Sequence, residues 1–357
     1  METTELLKKY EPKDAGVIAA EPQVSAARYS PCGKVLVAGG YDARVRRWNV
    51  EPAAAGETPP PRELAPLTGH HAWVEGLAFR AEGELLFTAD SWGMLCCWTG
   101  YTSEQPAQKW KHDQAHDGWI RALAVNPDGK LLASCAADKF VRVWNADNGT
   151  GQHEIKLENG PLTLRFAPDG TLLVGDERGI IQQLKLDGKL VRKFDASSLY
   201  ALSRLQDVGG VFAMATDKEG KLLAAGGTTP KNGGTVVGIP TLLVFDIATG
   251  EQKHKASLGS DNDCYVADLH LHDEGFVSLI TFGTPGQGQL LYLMPGDDKP
   301  FFTKKLTNPH SLAWHPDGKR MAIAATNANS NGNGRPLDKD GKYKGNSSPI
   351  HMFALQS

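Results

Sequence analysis

His116, Ser134 and Asp138 bring an imidazole, a hydroxyl and a carboxylate close together along the chain. These are the groups with which hydrolases activate a serine nucleophile. Two histidine pairs, His112 with His116 and His270 with His272, could each reach a metal ion, the second as alternate residues on one strand face. Neither pair has a third ligand nearby in sequence. The stretch Leu337-Asp338-Lys339-Asp340-Gly341 has the opening rhythm of a calcium loop, but it lacks the further oxygen ligands and the closing glutamate. Gly286-Gln287-Gly288 has no third glycine and no following helix, so it is not a phosphate loop. Whether any of these sets does chemistry depends on the elements that hold it.

The chain of 357 residues is 41% hydrophobic and 22% charged, the balance of a soluble globular protein. Its 39 glycines and 21 prolines point to many turns and short strands. A net charge of −3 provides no global basic field, so neither nucleic acid nor an anionic membrane is the expected partner. Met1 to Tyr10 mixes charges with two leucines and lacks the apolar core of a signal peptide, and no segment has the length and apolarity of a membrane span. Cys32, Cys96, Cys97, Cys135 and Cys264 form no CxxC pair and read as small buried groups in a reducing cytoplasm.

One phrase recurs seven times: an apolar run, a turn closed by glycine, and a second apolar run. The clear copies surround Gly33 (YSPCGKVLVAGG), Gly129 (VNPDGKLLASC), Gly170 (FAPDGTLLVGD) and Gly318 (WHPDGKRMAIA), with weaker copies around Gly83, Gly220 and Gly275. Proline at the second turn position fixes φ and the glycine relieves crowding, so each phrase predicts a β-hairpin. The spacing of the glycines approximates that of propeller blades, with the excess placed in loops.

The residues between these hairpins resemble the WD40 family. Trp48-Asn49 and Trp144-Asn145 stand where that family has Trp-Asp, Phe245-Asp246 is similar to a degenerate copy, and Gly69-His70 and Ala115-His116 resemble its Gly-His element. The resemblance is specific in the first three repeats and diffuse from Leu157 onward. It implies an all-β, seven-bladed β-propeller over residues 1–357, with four antiparallel strands, a to d, per blade. The blades are expected near 22–66, 70–112, 116–157, 159–194, 209–257, 264–306 and 308–355. The last lacks its d strand, which residues 1–12, around Leu6 to Tyr10, are expected to supply, closing the ring.

The resemblance also reinterprets the apparent triad. His116, Ser134, Asp138 and Trp144 match the family's structural hydrogen-bonded network, and buried polar groups need such partners. Blade 2 keeps His70, Thr88 and Trp98 but has Trp92 where the acid stands, so its network is expected to be incomplete. Blade 1 keeps Asp42 and Trp48, with Ala38 at the hydroxyl position. No catalytic residue, metal or cofactor is expected.

Long loops fall between strands b and c of blades 5 (228–240), 6 and 7 (328–348), the end of a propeller called its top. DASSLYALSRLQDVGG, between blades 4 and 5, joins the same end, and Leu199, Leu202 and Leu205 hint there at a helical turn. Counting back from each hairpin to the start of strand a gives Gln23, Trp73, Trp119, Gly160, Gly210, Tyr265 and Asn308. Trp73, Trp119 and Tyr265, flanked by Trp92 and Tyr41 near b–c turns, make a candidate aromatic rim. The function expected is a non-catalytic, cytoplasmic scaffold or adaptor, a monomer, that binds a peptide or protein partner at this rim. The alternative is a propeller enzyme or metal-binding protein, which would draw on Glu75, Arg121, Asp268 and His310.

Overall fold

The computed structural model describes residues 2–51, 61–203, 206–231, 238–327 and 347–355. The expected loop features at 232–237 and 328–346, the calcium-like stretch among them, lie outside the described residues, as do residues 52–60 and Leu205. The strands form seven four-stranded antiparallel blades, the inventory of a seven-bladed β-propeller. They divide into two compact units, Met1–Ile120 with His310–Ser357, and Arg121–Pro309.

The first unit carries blade 1 (Val24–Tyr29, Val35–Gly40, Arg44–Asn49, Arg62–Thr68), blade 2 (Val74–Arg80, Leu85–Asp90, Leu95–Thr99, Ala107–His112) and blade 7 (Pro309–Trp314, Arg320–Ala325, Ser348–Leu355). The second carries blade 3 (Ile120–Val125, Leu131–Ala136, Phe140–Asn145, Gly151–Lys156) and blade 4 (Pro161–Phe166, Leu172–Asp176, Ile180–Leu184, Leu190–Asp195). Blade 5 (Val211–Thr216, Leu222–Pro230, Gly238–Asp246, Gln252–Ser257) and blade 6 (Tyr265–Leu271, Val277–Phe282, Gly288–Leu293, Phe302–Lys305) complete it.

The recurring glycine explains the hairpins. All seven, from Gly33 to Gly318, have φ between +66° and +84°, where a side chain is strained. In blade 3 the Gly129 N–H donates to the Asn126 carbonyl at 2.9 Å, and Asn126 N–H donates in turn to Leu131 O at 3.0 Å, a four-residue hairpin loop with glycine in the left-handed region. Second strands such as Val35–Gly40 and Leu85–Asp90 are buried at every position, whereas outer strands such as Ala107–His112 are mostly exposed. Within the first unit, Val35, Val37 and Leu64 of blade 1 pack with Val74, Leu77 and Leu86 of blade 2.

Two expectations are corrected. The outer strand of blade 7 does come from the N-terminal region, but from Pro12–Ala20, paired antiparallel with Ser348–Leu355 from Pro12↔Leu355 to Ala20↔Ser348. Residues 1–12 are not that strand: Thr3–Tyr10 is an α-helix. Leu6 and Tyr10, one helical turn apart, are its buried face, while Glu5 in the first turn and Lys8 and Lys9 in the last suit the helix dipole. Between blades 4 and 5, only Ser197–Leu199 turns, as a single 3-10 turn, and the chain then forms a hairpin of Tyr200–Ser203 with Gln206–Gly209. Leu199, closing the turn, is buried, whereas Leu202, on the strand that follows, is 65% exposed.

Candidate functional site

The hydrogen-bonded chain of blade 2 is complete. Trp98 Nε1–H donates to Thr88 Oγ1 at 2.8 Å, Thr88 Oγ1 lies 2.6 Å from His70 Nε2, and His70 Nδ1 lies 3.1 Å from Asp90 Oδ2. The tautomer with hydrogen on Nδ1 satisfies every link: the threonine hydroxyl donates to Nε2, and Nδ1–H donates to the carboxylate. Asp90 also accepts the N–H groups of His71, Trp92 and Met94. Burial opposes ionisation of this carboxyl, but the bonds from His70 and the Met94 and His71 amides outweigh it and hold its pKa below the usual carboxylate value.

The expected gap at Trp92 is thus corrected. Asp90-Ser91-Trp92-Gly93 and Ala136-Ala137-Asp138-Lys139 are equivalent four-residue turns, each with positive φ at its fourth residue (Gly93 +94°, Lys139 +67°). Asp138 occupies the third position and Asp90 the first. A carboxylate at the first position can still accept from the turn's own amides. Blade 4 repeats the arrangement: Asp176 accepts from Arg178 N and Ile180 N and from Asn159 Nδ2 at 2.9 Å, and Gly179 closes the turn with φ +75°. Asp-x-x-Gly at the end of a second strand is the signal that identifies both acids. Gly93 is required twice over, because a Cβ there would lie 2.1 Å from the His116 carbonyl oxygen.

In blade 3, Trp144 Nε1–H donates to Ser134 Oγ at 2.9 Å, and Asp138 pairs with Arg142 at 2.8 Å; His116 is buried. In blade 1, Asp42 takes a two-pronged bond from Arg46 at 2.9 and 2.8 Å, Trp48 is buried, and Ala38 fills the hydroxyl position.

The residues counted back from the hairpins do sit at the starts of first strands. Gln23 O, Trp73 O and Gly160 O each accept an N–H from just beyond the second strand of their own blade, from Tyr41, Ser91 and Glu177. Tyr41, Trp73 and Trp119 are brought together: the first two rings lie 5.0 Å apart at 59°, the second pair 6.2 Å apart at 77°. Glu75, on the first strand of blade 2, accepts the Trp119 indole N–H at 3.1 Å. Trp73 is 45% exposed, and Trp92, on the turn whose Ser91 bonds Trp73, is 71% exposed. Burial, reinforced by the Glu75 charge, pushes the Tyr41 hydroxyl up to about 12. Tyr265 belongs to the other unit, in a group that sequence reasoning missed, with Phe212 at 5.0 Å and Phe282 at 5.7 Å.

The family pattern "WD domain, G-beta repeat" matches residues 17–49, 61–99 and 108–145. The chain carries WD40 repeats. Each match ends at the close of a third strand, at Trp48-Asn49, Trp98-Thr99 and Trp144-Asn145, where three buried tryptophans sit. Among known proteins, the chain is 26% identical to Protein hir1 of Schizosaccharomyces pombe over 41% of this chain and 17% of that protein. It is 31% identical to Eukaryotic translation initiation factor 3 subunit I of Coccidioides immitis over 30% of this chain and 31% of that one. It is 28% identical to p21-activated protein kinase-interacting protein 1-like of Gallus gallus, over 35% and 32%. The matched stretch spans less than a third of each of these relatives.

The rings of His270 and His272 lie 6.1 Å apart, His272 stacks on Phe276 at 4.6 Å, and burial, with the neighbouring His272, lowers His270 to about 4. Among the described residues, no three His, Cys, Asp or Glu side chains form a group that could hold a metal. Near Gly286, a cavity of about 330 Å³ is lined by Asp263, Gln289, Lys305 and Thr307, but the Gly286 and Gln287 amides already donate to Asn308 Oδ1 and Thr284 O. No helix among the described residues is long and apolar enough to cross a membrane.

Proposed function

We propose that this WD40-repeat protein is a non-catalytic scaffold or adaptor whose docking surface is the strip of Tyr41, Trp73 and Trp119, extended by Trp92. One observation carries the reading: a contacting row of three aromatic rings, Tyr41 to Trp73 to Trp119, with Trp73 45% exposed and Trp92 71% exposed. Large aromatic surfaces left to solvent are the residues that anchor interfaces. The polar groups that could suggest a hydrolase are engaged within blades, as in the His70–Thr88–Trp98–Asp90 chain. Tyr265, with Phe212 and Phe282, is a second aromatic surface for the same kind of partner. The partner class is a peptide or protein segment, and the five free cysteines suit residence in the cytoplasm.

The test is affinity capture with the full chain, comparing wild type with Trp73→Ala and Trp119→Ala after thermal melts show both variants folded. Truncating a true anchor weakens binding by about 2 kcal/mol, roughly thirtyfold. Retention of every partner by both variants defeats the assignment.

A further inference from the structure

We propose that the outer edge of blade 4 is a docking surface separate from the aromatic strip. Its occupant is an extended segment of a partner protein in which acidic residues flank apolar ones.

Blades 2 to 5 begin their outer strands in the same way. The pairing with the third strand breaks at a bulge, and one residue of the outer strand is left without a cross-strand partner. In blade 2 that residue is Lys109, after Gln108; in blade 3 it is Gln152, after Gly151; in blade 5 it is Lys253, after Gln252. In blade 4 it is Val191, after Leu190, and these two side chains are 41% and 45% exposed. Each outer strand is the last of its sheet, with a row of N–H and C=O groups open to a further strand. Polar side chains, lysine above all, guard such edges. Where the other three blades place a lysine or a glutamine, blade 4 places an aliphatic pair.

The charges beside that pair are uncompensated. Residues 185–193 carry Lys185, Lys189, Arg192 and Lys193 against one acid, Asp187. Arg192 is turned towards blade 5, where its Nη1 donates to Ile247 O. The acids at hand are engaged: Asp187 accepts the Lys189 amide at 3.0 Å, and Asp195 accepts the Ser197 amide at 2.9 Å. Glu154 of blade 3 pairs with Arg142 at 2.8 Å, and Glu251 of blade 5 with Lys253 at 2.7 Å. Lys185, Lys189 and Lys193 are exposed and form no ion pair among the described residues. A fitting ligand therefore covers two aliphatic side chains and brings carboxylates to three ammonium groups. An acidic, apolar peptide does both, and its backbone can pair with the open edge as an added strand. An anionic bilayer meets the charges and the aliphatic pair but offers no row of amides to the edge.

The test uses the full chain and measures, by fluorescence anisotropy, binding of the fluorescein-labelled peptide amide Asp-Glu-Leu-Ile-Glu-Asp. Its controls replace the acids by their amides, replace Leu-Ile by serines, or methylate alternate backbone nitrogens. Saturable binding is expected, weakened about tenfold in each control. Leu190→Gln/Val191→Lys installs what blade 5 carries at the equivalent positions, adding positive charge while removing the aliphatic pair. It is expected to weaken binding about tenfold, as is Lys189→Ala/Lys193→Ala, with thermal melts showing both variants folded. Unchanged or tighter binding by Leu190→Gln/Val191→Lys means bare charge attraction and overturns the proposal. So does the absence of saturable binding, or equal binding of the methylated peptide. Trp73→Ala separates this surface from the strip: unchanged peptide binding supports the edge, and loss of binding places the peptide at the strip and overturns it. Cosedimentation with phosphatidylserine and phosphatidylcholine vesicles covers the remaining case. A chain that binds these vesicles through Lys189 and Lys193 and ignores the peptide has a membrane surface there, and the proposal falls.

Discussion

Replacing Thr88 with valine isolates the polar chain of blade 2 from its packing. Valine has the shape of threonine, so the fully buried site acquires no cavity, and only the hydroxyl is lost. That hydroxyl oxygen accepts from Trp98 Nε1 at 2.8 Å and lies 2.6 Å from His70 Nε2. Its loss strands an indole donor and an imidazole acceptor among residues almost wholly shielded from water. Each stranded group costs about 1–3 kcal/mol, so the substitution is expected to destabilise by about 3–4 kcal/mol. Thr88→Ser keeps the oxygen and removes one methyl, at about 1 kcal/mol. Urea unfolding at pH 7, followed by tryptophan fluorescence and far-ultraviolet circular dichroism, measures both. A lower midpoint with an unchanged slope for Thr88→Val, several times the serine effect, is the expected result. If valine costs no more than serine, the polar chain contributes nothing beyond packing, and the structural account of His70 and Asp90 fails with it.

Folding lowers the Asp90 carboxyl from its ordinary value of 3.8, so its stabilising charge is present above that value and fades as pH falls through the lowered one. Acid titration of stability below about pH 4 is therefore expected to be steeper for wild type than for Asp90→Asn, and equal slopes would contradict this. Arg47 is fully buried in blade 1 and donates to Ala65 O, Tyr101 O and Ser103 O, so Arg47→Met is expected to cost about 2–4 kcal/mol. Arg47→Lys rescues little, because a single ammonium cannot reproduce the guanidinium fork; urea midpoints compare the two. Deleting Met1–Tyr10 removes the burial of Leu6 and Tyr10, about 3–5 kcal/mol, whereas deleting through Ala20 also strips the outer strand from Ser348–Leu355. Thermal melts are expected to show a folded but weakened first truncation and a far more damaged second; identical melts would refute the strand assignment.

The hairpins were legible because a glycine with positive φ is a local requirement, written at Gly33 and repeated to Gly318. The outer strand of blade 7 was legible as a need but not as a segment. Leu6 and Tyr10 are apolar in a charged stretch, yet their spacing of four marks a helix, while the true strand, PKDAGVIAA, breaks its alternation at a bulge between Asp14 and Gly16. The aromatic strip was half legible. Counting from the hairpins found Trp73, Trp119 and Tyr265 as equivalents, but equivalence within a blade says nothing about contact between blades. Trp73 meets Tyr41 and Trp119, whereas Tyr265 meets Phe212 and Phe282.

The two acids missed in sequence show what a turn demands. Matching residue to residue equates Trp92 with Asp138, and at that level blade 2 has lost its carboxylate. The physical demand is different: the exposed amides of a tight turn, and a polar side chain from the loop before the first strand, need one acceptor between them. Asp90 and Asp176 meet it from the first turn position, with His70 and Asn159 as the loop donors. Asp42 and Asp138, at the third position, pair with Arg46 and Arg142, each four residues further on, and Asp138 also accepts the Phe140 amide. Both solutions hold the start of the third strand in place, and in blade 2 that turn carries Trp92 and, through Ser91, bonds the backbone of Trp73. The rigidity of the polar chain and the placement of the aromatic strip are thus one structural fact in blade 2. Thr88→Val should therefore disturb the strip's indole resonances even under conditions where the protein remains folded.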